Sequence, residues 1–297
     1  MRRFWSSVIA PLLTALQPAT LVEIGALRGD HTRRLLDFCR GHAAVLHAVD
    51  PLPVFDVPAW QQTYGACFVF HRQLSLEALP LVGPMDAVLL DGDHNWHTVF
   101  HELTLIDRLA RQRGQPLPLI CLHDVGWPYG RRDMYYNPAS IPPEYRQPYR
   151  RAGLDLNSSE LLATGGLSAH LHHAIQEGGP RNGVLTAVED YLAAAPPGSL
   201  HFSQVPGFHG LGVLASAERL ASRPALAALM DKIDAAARAP AAAALRALEQ
   251  QRQRLLIESL HLRQSAQRAA WPPRLINKLK RTRADRRITQ LIAAGLT

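Results

Sequence analysis

Five short apolar runs alternate with helix-period segments between residues 20 and 125, and that alternation leaves few folds open. Thr20–Ile24 (TLVEI), Val45–Val49 (VLHAV), Cys67–Phe70 (CFVF), Ala87–Leu90 (AVLL) and Leu119–Leu122 (LICL) have the length and apolar character of buried strands. Between them, Thr32–Cys39 and Trp96–Arg111 repeat their apolar residues at the helical period. Strands joined by helices at this spacing build βαβ units, so the expected fold is α/β, a doubly wound and mostly parallel sheet covered on both faces. A later helix, Val184–Ala195, precedes Leu200–Val205 and Leu211–Leu214, which are joined by Pro206-Gly207-Phe208-His209-Gly210. Those two runs read as an antiparallel hairpin closing the sheet edge. The apolar stretch from Arg2-Arg3 to about Leu16 reads as a short helix entering the first strand, because no small-residue cleavage site follows it.

The 297 residues are 47% hydrophobic and 19% charged, enough apolar material for a sizeable core. That composition excludes wholesale disorder, a collagen-like fibre and a disulfide scaffold. The formal charge of +7 resides entirely in residues 268–297, where eight basic side chains face one acid; the rest of the chain is balanced. A neutral body with a basic tail is not the electrostatic footprint of a nucleic-acid-binding fold. Cys39, Cys67 and Cys121 are scattered, which argues for a reducing compartment, hence the cytoplasm, and against a zinc finger.

Periodicity fails between about 126 and 182, a stretch rich in Pro, Tyr, Arg and Gly that follows the last parallel strand. It is read as a substrate-binding cover over the carboxyl edge of the sheet. After Ser216 the composition turns to Ala, Leu, Arg and Gln, with helices expected over 216–237 and 240–266. A heptad register through Leu245, Leu248, Leu255 and Leu262 is broken by Arg252 and Ser259, which fits a docking helix or a coiled coil and leaves room for a homo-oligomer. Trp271-Pro272-Pro273 is expected to end that helix. The division expected is therefore a first domain over 1–215 with its covering insertion, a helical extension over 216–266, and a basic tail over 267–297.

Three motifs carry chemistry. In Glu23-Ile24-Gly25-Ala26-Leu27-Arg28-Gly29-Asp30-His31-Thr32 a strand runs into a helix through a glycine turn. Gly25 allows the turn and Gly29 a close approach of backbone to ligand. Leu27 stands where a dinucleotide fingerprint needs its second glycine, which speaks against NAD. Asp50 ends the next strand, where a carboxylate can bind the ribose hydroxyls of an adenosine. In the second motif Asp91, Asp93 and His94 follow the fourth strand, and in the third His123 and Asp124 follow the fifth. If those strands are neighbours, Asp91, His123 and Asp124 converge as ligands for a divalent metal, with Asp93 an alternative to Asp91. Arg131, Arg132, Tyr135 and Tyr136 lie just beyond, and forked guanidinium groups with aromatic faces suit the binding of sugars and anions.

The strings VEIGALRGDHT, VDP, DAVLLDGDHNW and LHDV resemble class I S-adenosylmethionine-dependent methyltransferases of the Rossmann-like kind. They are most similar to the metal-dependent O-methyltransferases that act on sugars of macrolides and related glycosides. The resemblance covers roughly residues 1–215 and is most specific over 20–125. It implies S-adenosylmethionine held by Glu23, Gly25 and Gly29, its ribose by Asp50, and its adenine near Ser75. It implies a divalent metal, Mg²⁺ or Mn²⁺, on Asp91, His123 and Asp124, and His94 as general base. Relatives usually carry an acid where His123 stands, a departure that lowers the charge of the site and favours a softer metal.

The expected function is O-methylation of a hydroxyl on a sugar-containing metabolite or polysaccharide, a small-molecule or glycan acceptor. The basic tail, whose Lys278, Arg281 and Arg283 alternate with Leu275, Ile276 and Leu279, suits recruitment to the inner face of a membrane or to a protein partner. Two alternatives are an RNA methyltransferase, disfavoured by an acidic pocket that repels phosphates, and a non-catalytic assembly protein that keeps the fold.

Overall fold

The computed structural model describes residues 1–268 together with 289, 290 and 292. Two irregular helical turns over residues 2–9 lead into α1 (Ala10–Leu16) and then β1 (Thr20–Ile24). The alternation follows with α2 (Thr32–His42), β2 (Val45–Val49), α3 (Val57–Tyr64), β3 (Phe68–His71), α4 (Ser75–Ala78), β4 (Ala87–Leu90), α5 (Trp96–Gln112) and β5 (Leu119–His123). After the insertion come α6 (Val184–Ala194), β11 (Leu200–Val205) and β12 (Leu211–Ser216). The seven main strands lie in the order β3-β2-β1-β4-β5-β12-β11, with β12 alone reversed. The hairpin thus contributes an interior strand, because β12 pairs directly with β5 as well as with β11.

Strand alternation divides the core between the two faces of the sheet. In β1, Leu21 faces a cluster that includes Leu12, Leu13, Leu35 and Leu36, while Val22 and Ile24 face one that includes Val99, Leu103 and Val188. Helix α5 starts where Asn95 accepts a hydrogen bond from the Thr98 amide at 2.9 Å, and α3 where Asp56 accepts from Ala59 at 3.0 Å.

The insertion is more ordered than its composition predicts. It contains a three-stranded sheet of β6 (Met134–Tyr135), β7 (Tyr149–Arg151) and β10 (His172–Ala174), and a hairpin of β8 (Gly153–Asp155) and β9 (Ser158–Leu162). Asp133, fully buried, pins it to the body. Its carboxylate accepts from the amides of Trp96 and Gly183, both at 2.7 Å, and from the Tyr135 hydroxyl at 2.8 Å.

The extension folds as α7 (Ala217–Ser222), α8 (Pro224–Arg238) and α9 (Pro240–Arg268). Leu226, Met230 and Ile233 of α8 join the core on the α1 side. Helix α9 docks through Leu245, Glu249, Arg252, Gln253 and Ile257, all buried, whereas Leu262 is exposed. The face it buries shares Leu245 and Leu248 with the leucine stripe but then departs from it, and the Arg252 that interrupts the heptads lies at its centre. Trp271-Pro272-Pro273 and almost all of the basic tail fall outside the described residues. Among the described residues no helix is long and apolar enough to cross a membrane.

Candidate active site

The turn after β1 rests on the turn after β4. Gly25 has φ +91°, and a Cβ there would stand 2.2 Å from the Asp91 carbonyl oxygen and 2.7 Å from the Gly92 Cα. Gly29, at φ +72°, has the Trp60 ring where a Cβ would point, 2.5 Å away. An indole of α3 thus makes one close approach that only glycine allows at this position.

Asp50 braces the same turn, accepting from the Leu27 amide through Oδ2 and from the Leu52 amide through Oδ1, each at 2.7 Å. Glu23 Oε1 lies 3.0 Å from His31 Nδ1. Around them Glu23 Oε2, His31 Nε2 and Thr32 Oγ1 are buried with no hydrogen-bond partner. Leu27, Leu52, Val54 and Leu74, by contrast, are exposed on the loops beyond β1, β2 and β3. Ser75 opens α4 near Glu102 of α5, whose carboxyl burial pushes up to about 8.

Strands β4 and β5 are parallel neighbours with Leu90 opposite Leu122, so the residues that follow them converge. Asp91, His123 and Asp124 each offer a ligand atom, and these atoms lie within 4.8 Å of one another. His123 Nδ1 is 2.8 Å from Asp124 Oδ2 and 3.2 Å from Asp91 Oδ1. Asp124 is held at φ +62°, a conformation that side chains other than Gly, Asn and Asp seldom adopt.

Burial works against every charge here, but the pairings outweigh it. The His123 imidazole rises to about 9 on account of Asp124 and Asp91. The Asp124 carboxyl falls to about 2 beside His123 and His94. Asp91 is held below the usual carboxylate range by His123 and by the Met1 amino group, 2.9 Å from its Oδ2.

His94 Nδ1 lies 3.3 Å from Asp124 Oδ2, and its ring stacks on Tyr129 with centroids 5.3 Å apart. Asp93 does not join the cluster. It accepts from the Thr98 hydroxyl at 3.0 Å, and burial raises its carboxyl.

Of the four residues expected to bind substrate, the structure brings only Tyr136 to this site, with its ring 6.0 Å from that of His94. Arg131 pairs with Glu189 at 2.5 Å on an exposed surface. Arg132 is fully buried and donates to the carbonyls of Ala174, Ile175 and Ser159. Tyr135 is buried too, donating to Asp133 and accepting from the Gln147 amide. These three hold the insertion together.

Sequence reasoning missed Tyr129 and His209, the latter meeting the His123 ring edge-on at 6.3 Å. Tyr129 sits in an aperiodic stretch and gives no signal. His209 gave a faint one, an imidazole in the turn of a hairpin. Together the cluster can hold a cation between two carboxylates and an imidazole, with His94 beside it as a proton acceptor.

No curated protein matches the chain. Similar solved structures include a methyltransferase from Podospora anserina bound to S-adenosylhomocysteine, 12% identical over 70% of this chain and 76% of that one, with a TM-score of 0.41. Another is 1,6-didemethyltoxoflavin-N1-methyltransferase from Burkholderia thailandensis, bound to 1,6-didemethyltoxoflavin and S-adenosylhomocysteine (18%, 70% and 78%, 0.38). A third is N,N-8-amino-8-demethyl-D-riboflavin dimethyltransferase from Streptomyces davawensis (15%, 72% and 55%, 0.39). The family model of a methyltransferase domain matches residues 22–125, from β1 to the end of the acidic cluster. That match lies on β1 to β5 of the Rossmann-like sheet, so this part of the chain is similar to a methyltransferase domain.

Proposed function

We propose that the chain methylates a hydroxyl of a sugar-containing metabolite or polysaccharide with S-adenosylmethionine as donor and Mg²⁺ or Mn²⁺ assisting. The observation that carries this reading is the contact at Gly25, which sets the glycine turn directly against the loop of Asp91. A donor on that turn and an acceptor on the Asp91, His123 and Asp124 cluster would be neighbours.

The residues fit both groups. Unpartnered buried atoms of Glu23, His31 and Thr32 offer polar contacts to an amino-acid moiety, and exposed Leu27, Leu52, Val54 and Leu74 offer apolar walls to a flat ring. Two carboxylates and one imidazole suit a hard or borderline divalent ion and leave positions for acceptor oxygens. Such an ion, when bound, makes a neighbouring hydroxyl more acidic.

His94 supplies the base. With Nδ1–H donating to Asp124, its Nε2 carries the lone pair that takes the hydroxyl proton as the oxygen–carbon bond forms and the carbon–sulfur bond breaks. Stacking on Tyr129 fixes the plane of the ring, and exposed Tyr136 offers a face to a sugar. The reaction then belongs on the cytoplasmic side, and the basic residues of 268–297 suit recruitment to an anionic membrane surface or a partner.

The test is transfer of labelled methyl to a panel of glycosides and polysaccharides, with and without chelator, in the parent chain and in His94→Ala. The expected result is Mn²⁺-dependent transfer that falls by about 10²–10⁴-fold in the variant, while S-adenosylhomocysteine binding by calorimetry stays unchanged. A parent chain that binds no S-adenosylhomocysteine, or a variant that turns over at the parent rate, would overturn the reading.

A further inference from the structure

Glu249, Arg252 and Gln253 are buried polar residues on a helix added after the last strand. Burying an ion pair returns little stability for its desolvation, so its contacts matter more than its presence. Arg252 forks onto Glu249, with Nε 2.7 Å from Oε2 and Nη2 2.7 Å from Oε1. The same Oε1 accepts from the His209 amide at 3.2 Å and from Gln253 Nε2 at 2.9 Å. The guanidinium also covers the Phe208 ring at 5.5 Å and points Nη2 at His209 Nε2, 3.4 Å away.

These contacts leave His209 one state. Its Nδ1 is 3.0 Å from the Trp127 carbonyl, which only accepts, so Nδ1 carries the proton. Its Nε2 faces a guanidinium that only donates, so Nε2 carries the lone pair. Phe208 and His209 stand at φ +48° and +72°, left-handed values that such side chains keep only where their surroundings hold them.

The turn so held is bonded to the loop of the candidate ligands. The Asp124 amide donates to the Gly210 carbonyl at 3.1 Å and the Gly126 amide to the His209 carbonyl at 2.7 Å. A Cβ on Gly126 would lie 2.8 Å from that carbonyl oxygen, so the two backbones meet without slack. Phe4 adds a second bridge, with its ring 5.9 Å from Phe208 and 6.1 Å from His123.

We infer that α9 is a working part of the centre: the Glu249–Arg252 pair is a positioning element that fixes the Phe208-His209 turn and, through it, the stance of His123 and Asp124. The inference rests on the proposed function for what the cluster does, but the chain of contacts is testable without it. The helical extension is on this account the outer wall of the active site.

The experiment uses the full chain, Arg252→Ala, Arg252→Lys and His209→Gln, each with ¹⁵N-labelled histidine. Several imidazoles place Nδ1 against a carbonyl, and the fixed Nδ1–H signal that His209→Gln removes from the parent spectrum is that of His209. In Arg252→Ala that signal averages between tautomers, and exchange of the Asp124 and Gly126 amides quickens by about tenfold or more while the β2 amides keep their rates. Mn²⁺ affinity falls by about tenfold, and S-adenosylhomocysteine affinity is unchanged. Arg252→Lys, which keeps the charge but loses the fork, lies between the two. An unaltered His209 signal, or exchange raised equally across the sheet, would overturn the inference. If the parent binds neither Mn²⁺ nor S-adenosylhomocysteine, the proposed function fails, and the tautomer and amide readouts still decide the positioning role.

Discussion

Gly25 has the carbonyl of Asp91 where a side chain would begin, and its φ of +91° is one that only glycine adopts without strain. Gly25→Ala is expected to destabilise the chain by about 2 kcal/mol or more, measured by urea unfolding, because backbone on both sides of the contact must move. The sequence marks this glycine as a turn residue, and the neighbour that makes it indispensable comes from residue 91, beyond the reach of any local pattern. Glu102 is a second case. Burial raises its carboxyl from the ordinary 4.5 to about 8, so the folded chain keeps a proton that the unfolded chain releases. Its contribution to stability is full below pH about 4.5 and is lost as pH rises through about 8. Glu102→Gln mimics the protonated form, so its melting temperature should match the parent at pH 4 and exceed it by a few degrees at pH 8.5. Equal melting at both values would contradict that sign.

At the scale of elements, the strands were legible almost to the residue, because a buried parallel strand must be apolar throughout and the helices between them must be amphipathic. Thr20–Ile24, Val45–Val49, Ala87–Leu90 and Leu200–Val205 form as read. The insertion was not legible, because its order comes from Asp133, whose three donors belong to residues 96, 135 and 183. Asp133→Ala leaves three buried donors without an acceptor and is expected to cost about 3 kcal/mol or more, with faster proteolysis between residues 136 and 147. Tyr135→Phe removes one of the three bonds, and the expected loss is about 1 kcal/mol by the same unfolding assay. Arg132 shows why composition misled at this scale. An arginine next to a tyrosine pair suggests a sugar surface, yet this one spends its donors on the carbonyls of residues 159, 174 and 175.

For the whole molecule, the convergence of Asp91, His123 and Asp124 was legible as soon as β4 and β5 were taken as neighbours, since parallel pairing brings consecutive carboxyl ends together. The role of the extension was not, because Glu249, Arg252 and Gln253 stand at the centre of the α9 docking face, and polar helix residues ordinarily point to water. Leu226, Met230 and Ile233 belong to the core that α1 and the sheet share, so a chain ending at Ser216 is expected to lose cooperative melting by circular dichroism. A chain ending at Arg238 should melt cooperatively and keep S-adenosylhomocysteine binding, yet lose the fixed His209 tautomer. Strand β12 lies inside the sheet although it is the last of the seven main strands in chain order, and α9 comes later still. A nascent chain therefore has its glycine turn long before the ribosome delivers Glu249 and Arg252, and on the proposed positioning role the Asp124 side of the cluster is the last part to be braced.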